Sequence, residues 1–125
     1  NLMTYMGFIE NEADAFKTAR ISLAPLSFGA GLKGKVLSSF TYSTPVLGTN
    51  FAFEGFENLD QKFFTESSLN ADEFSKKLFD IYFKKSLNTS SSDWNDFHKE
   101  LEKVFSINSF KKVFKEYLLS KDLKV

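Results

Sequence analysis

The residues best suited to chemistry lie between Ile21 and Thr49, in ISLAPLSFGAGLKGKVLSSFTYSTPVLGT. An apolar run is stopped by Pro25, glycines follow at 29, 31 and 34, and an apolar-periodic stretch opens at Lys35. Read as strand, glycine loop and helix, this order gathers several cationic features in one place. Glycines let the backbone approach a ligand closely, a helix start presents unpaired N–H groups, and its dipole is positive there. Lys33 and Lys35 add two cations at that end. Lysines at a helix start oppose the dipole unless an anion sits among them. Such a place is suited to holding phosphate.

Two short motifs overlap on these residues. Gly29-x-Gly31-x-x-Gly34 satisfies the dinucleotide fingerprint, and Glu54 lies about twenty residues further on, where a ribose-binding acid belongs. Against this, Leu26, Ser27 and Phe28 intervene between Pro25 and the first glycine. Gly29-x-x-x-x-Gly34-Lys35 satisfies most of the phosphate loop of nucleoside triphosphatases. There, Val36 stands where Ser or Thr must ligate Mg²⁺, so triphosphate hydrolysis is not expected. The alternative for Lys33 and Lys35 is a pair of solvated surface lysines, and for Glu54 an exposed loop acid.

A longer stretch is more specific. Gly29-Ala30-Gly31-Leu32-Lys33-Gly34-Lys35, then Ser43-Thr44-Pro45-Val46-Leu47-Gly48-Thr49, then Glu54-Gly55-Phe56, resembles the donor-binding half of GT-B-fold glycosyltransferases of the family-4 type. Met6-Gly7-Phe8 and the stretch Asn11–Arg20 resemble the strand and helix that precede that loop. The resemblance covers roughly residues 3 to 60. The chain departs from the pattern at two positions. Ser38 stands where the family places a glutamate that contacts the donor's ribose, and Ser43 replaces a glycine. A hydroxyl at 38 cannot accept two ribose hydrogen bonds as a carboxylate does.

The resemblance implies transfer of a sugar from a nucleoside-diphosphate-sugar to an acceptor, in polysaccharide or glycolipid synthesis. Gly29, Ala30, Gly31, Lys33 and Lys35 would bind the donor diphosphate. Ser38, Glu54 and Gly55 would lie at its nucleoside or sugar. No catalytic residue is assigned, and no metal or cofactor is expected. The chain would be the C-terminal portion of a donor domain, inactive alone because the acceptor domain would precede it. The competing expectation is a non-catalytic or degenerate phosphate-binding, nucleotide-binding or interaction module.

The elements that must position these residues follow from turn signals and periodicity. All six glycines and both prolines lie at or before Gly55, which places the turns in the first half. Strands are expected at Leu2–Phe8, Ile21–Leu26, Pro45–Thr49 and Gln61–Thr65. Helices are expected from Asn11 or Asp14 to Arg20 and from Lys35 to Ser43. A third should open at Asn70-Ala71-Asp72-Glu73, a capping-box-like start, with Phe74, Leu78, Ile81 and Tyr82 at helical spacing. After a polar linker at Ser86–Ser92, two stripes follow. Trp94, Phe97, Leu101, Val104 and Phe105 form one; Phe110, Val113, Phe114, Tyr117 and Leu118 form the other, and both are expected to be core. Alternating strands and helices predict an α/β fold, a short parallel Rossmann-like sheet with a helical C-terminal tail.

Composition narrows the function classes. The chain has 125 residues with 16 Lys+Arg and 16 Asp+Glu, a formal net charge of zero. A single domain is expected, and a nucleic-acid partner is not. With no cysteine, disulfides and thiolate chemistry are excluded. No apolar run approaches the ~20 residues of a membrane span, so a cytoplasmic location is expected. Membrane contact is not expected either, since acids alternate with the tail's lysines. His98, the sole histidine, reads as structural or solvent-facing. The 16 Phe promise a core built on aromatic rings.

Overall fold

The computed structural model describes residues 3–84, 87 and 89–120. The chain forms two compact units, Asn1–Thr89 and Ser90–Val125. In the first, a short helix α1 (Glu12–Phe16) leads to strand β1 (Ser22–Ala24). Helix α2 (Gly34–Thr41), strand β2 (Val46–Gly48), strand β3 (Phe64–Glu66) and helix α3 (Ala71–Lys84) follow. The strands make a three-stranded sheet in the order β1-β2-β3. Both pairings are parallel, with Leu23 opposite Leu47 and Leu47 opposite Thr65. The fold is therefore mixed α/β with a parallel sheet and flanking helices, as the strand–loop–helix–strand order requires.

The central strand has both neighbours, and Val46, Leu47 and Gly48 are all buried. α2 packs on β1 and β2 through Val36 and Phe40. Phenylalanines then build the core around it. The Phe40 ring meets Phe56 edge-on at 5.4 Å, and Phe64 lies 4.5 Å from Phe53. Quadrupolar rings prefer such offset and edge-on contacts, worth about 0.5–1.5 kcal/mol beyond area burial. α2 ends in two backbone bonds typical of a left-handed stop, Ser43 N–H to Phe40 O at 3.0 Å and Thr44 N–H to Ser39 O at 2.8 Å. Ser43 has φ 55 there, a conformation glycine adopts without steric cost.

Several expectations are corrected. Residues 3–8 of the expected Leu2–Phe8 strand join no sheet, and Tyr5 and Phe8 are almost fully exposed; Leu2 lies outside the described residues. Apolar alternation makes a strand only where a partner edge and a face exist to receive it. α1 stops at Phe16 rather than Arg20, with Asn11 as its cap. The first half of Gln61–Thr65 is a 3₁₀ turn, because Asp60 accepts a hydrogen bond from Lys62 N–H at 3.0 Å; the strand starts at Phe64. At the start of α3, Asn70 caps Asp72 and Glu73 N–H groups at 3.1 Å each, but the Glu73 carboxylate turns back to Ser68 rather than to Asn70.

The second unit holds α4 (Ser91–Phe105) and α5 (Ile107–Ser120), which pack on each other. Ser90 and Asp93 form a complete capping box, so Ser91 and Ser92 of the expected linker are helical. Ser86 and Asn88 lie outside the described residues. The α4 stripe is core at Trp94, Phe97 and Leu101, while Val104 is exposed. His98 is half-buried, its ring 5.9 Å from that of Trp94. The α5 stripe is not core: the helix has no buried residue. Among the described residues no helix is long and apolar enough to cross a membrane.

Candidate functional site

In a parallel sheet all strands point the same way, so Ala24, Gly48 and Glu66 end along one edge. The loops leaving that edge are tied to one another. Thr49 N–H donates to Ala24 O at 3.2 Å, and its hydroxyl donates to Leu26 O at 2.6 Å. Ser67 N–H donates to Gly48 O at 2.8 Å. Gly48 is required for packing: a Cβ there would sit 2.8 Å from Ala52 Cβ and 3.0 Å from Ala24 O. Ligands of open α/β sheets bind outside the carboxyl ends of the strands.

The glycine loop runs along this edge. Gly29 and Gly31 adopt φ 131 and φ 76, which L side chains rarely take. Lys33 is the residue just before α2, and it supplies no side-chain cap; the first turn of the helix carries no acid. The side chain of Lys33 folds back, donating to Gly31 O and lying 3.4 Å from Glu54 Oε2. It is only 14% exposed. Gly34 differs from the other two glycines of the loop. It has ordinary helical backbone, and a Cβ there would meet nothing within 4 Å. Neither conformation nor packing within the chain asks for glycine at this position.

Beside the loop lies a cavity of about 440 Å³ lined by Gly29, by the polar Asn50, Glu54, Glu57, Gln61 and Glu66, and by the rings of Phe51, Phe53 and Phe64. Gly55 (φ 89) turns the chain after Glu54, and its N–H donates to both Glu57 carboxylate oxygens at 3.0 Å. That backbone hydrogen bond holds the Glu57 carboxyl below the ordinary value. Carboxylates and amides of this kind accept and donate hydrogen bonds to hydroxyls. Among the described residues, no group of three or more His, Cys, Asp or Glu is arranged to hold a metal ion.

The structure thus brings together Gly29, Gly31, Lys33, Glu54 and Gly55. Ala30 sits exposed in the same loop. Lys35 is exposed in the first turn of α2 and makes no ion pair among the described residues, and Ser38 is half-buried one turn further on. Asn50, Glu57, Gln61 and Glu66 escaped the sequence reading. Glu57 had a signal, since a carboxylate two residues past a glycine can close the turn on that glycine's N–H. Glu66 had none beyond ending an apolar run. Comparison of the chain with protein-family models, with curated proteins and with solved structures found no match.

Proposed function

We propose that this chain is the nucleotide-sugar-binding portion of a glycosyltransferase, with the donor's diphosphate at the glycine loop and the first turn of α2. The observation that carries the reading is Gly34. A glycine that the fold does not need, at the uncapped start of a helix, is explained by close approach of an anion to the backbone. The open first turn, the left-handed Gly29 and Gly31, and Lys33 and Lys35 supply donors and countercharge around it. The neighbouring carboxylates Glu54, Glu57 and Glu66 suit sugar hydroxyls.

In such a transfer the leaving group is a nucleoside diphosphate whose charge grows as the glycosidic bond breaks. Fixed N–H donors and a lysine aimed at that charge stabilise the transition state more than the ground state. Lys33 would exchange the Gly31 carbonyl for a phosphate oxygen while keeping Glu54 nearby. The second reading, a non-catalytic nucleotide-binding module, is favoured by Ser38, whose hydroxyl cannot grip a ribose as a carboxylate can.

Calorimetry against nucleoside diphosphates and nucleotide sugars tests the reading. Replacing both Lys33 and Lys35 by Ala removes charge-assisted contacts worth about 1.5–3 kcal/mol each, so nucleoside diphosphate affinity falls at least tenfold. Gly34→Ala raises thermal stability, by up to about 1 kcal/mol of helix propensity, and weakens the same binding. Unchanged affinity in both variants ends the phosphate assignment. Diphosphate binding without discrimination between the bare diphosphate and its sugar conjugate favours the second reading.

A further inference from the structure

The α5 face requires an account of its own, independent of the glycine loop. Ile107, Phe110, Val113 and Phe114 are 69%, 66%, 65% and 50% exposed. At about 100° per residue they share one arc, roughly 140° wide when Leu118 is included. Exposed apolar side chains scattered singly are normal, but a contiguous helical stripe of this kind marks an interaction face. The rings of Phe110 and Phe114 stack nearly parallel on this face, with centroids 5.9 Å apart.

The charge beside that stripe says what it faces. Lys111 and Lys115 lie one turn apart along one border, and Lys112 lies beyond them. All three are exposed, and none forms an ion pair among the described residues. Elsewhere among the described residues Lys17, Lys33, Lys77, Lys84 and Lys99 each have an acidic partner, while Lys35, Lys76 and Lys103 form no ion pair. The only acid in α5 is Glu116, beyond the other border of the arc and about as far from its centre as Lys115. An apolar arc with aromatic rings, bordered on one side by unpaired lysines and on a helix too short to span a bilayer, is an arrangement that lies in a membrane interface.

We propose that α5 docks in the plane of an anionic lipid surface, with the Ile107–Phe110–Val113–Phe114 face in the acyl boundary and Lys111 and Lys115 at the headgroups. The lysine stems reach along the apolar surface and keep their ammonium groups at the lipid phosphates. Acids more than about a Debye length (~10 Å) from the headgroups oppose this little.

Co-sedimentation of the full chain with vesicles tests the proposal. Vesicles of equal phosphatidylglycerol and phosphatidylcholine should bind the chain, pure phosphatidylcholine should bind it far less, and 0.5 M salt should release much of it. Lys111→Glu with Lys115→Glu should lower binding to the anionic vesicles by about tenfold or more. Phe110→Ser with Phe114→Ser should lower it similarly, with the circular dichroism of the soluble chain unchanged because both rings are already exposed. The proposal is overturned if anionic vesicles bind no better than neutral ones, or if the variants bind as the parent does. It is equally overturned if the chain ignores vesicles but forms a dimer that Phe110→Ser dissociates, since the face would then belong to a second copy.

Discussion

Helices α2 and α4 begin in opposite ways. At α4, Ser90 accepts from Asp93 N–H at 3.1 Å while Asp93 accepts from Ser90 N–H at 2.7 Å, so the terminus is closed by its own residues and carries an acid against the dipole. Asn11, Asn70 and Ser106 likewise receive backbone N–H groups at the starts of α1, α3 and α5. At α2 the capping position is Lys33, whose side chain can accept nothing, and no acid follows in the first turn. The chain caps its other helices and leaves α2 open with two lysines beside it. A closed terminus contributes only to folding, whereas an open one keeps its donors for something else.

The largest expected effect comes from closing the open end. Lys33→Ser installs a cap and removes the cation together. Affinity for a nucleoside diphosphate should fall tenfold to a hundredfold, about 1.5–3 kcal/mol, while chemical denaturation shows equal or slightly higher stability of the free chain. Loss of stability with unchanged affinity would show that Lys33 serves only its contacts with Gly31 and Glu54.

Opening the closed end is the converse. Ser90→Ala should destabilise α4 by about 1 kcal/mol, seen as a lower melting temperature, with diphosphate affinity untouched. A smaller effect is expected where α2 stops. Ser43 holds φ 55, so Ser43→Gly should relieve strain and raise stability by about 0.5–1 kcal/mol, less whatever the serine side chain contributes. A fall in stability would show that the side chain matters more than the backbone conformation.

The smallest effect concerns the start of α3. Hydrogen bonds from Lys77 and then Ser68 lower the Glu73 carboxyl from 4.5 to about 2. A carboxyl depressed on folding contributes stability above its unfolded value and loses it as pH falls through the folded value. The contribution is therefore complete above about pH 5 and fades between pH 4.5 and about 2. Because the group is exposed, the change is small. Acid titration of Glu73→Gln against the parent, followed by α-helical circular dichroism, isolates it. Identical profiles would remove the ion pair as a contributor.

Elements whose instructions are local were legible in the residues alone. Pro25 and the glycines delimit β1 and the loop, Asn11 and Asn70 start their helices, and the expected stripes of α3 and α4 are buried at Ile81 and at Trp94, Phe97 and Leu101, though Tyr82 and Val104 are exposed. Parallel pairing of β1 with β2 followed from the helix between them, because parallel strands need such a crossover. The glycine loop running into α2 was legible for the same reason: glycine, helix start and lysine are contiguous in the chain.

What tertiary structure decided is everything that depends on a partner distant in sequence. The stretch 3–8 and α5 carry apolar patterns as good as those of buried elements, yet neither is buried, because periodicity specifies a face and not what covers it. Lys33 turns toward Glu54 twenty-one residues away, and Glu57 and Glu66 line the cavity where the turn at Gly55 and strand β3 place them. Short-range rules set backbone and caps within a turn or two of each residue. Side-chain pairing and burial are settled by which surfaces meet, and loop closure brings those together at a cost that grows only slowly with their separation in the chain.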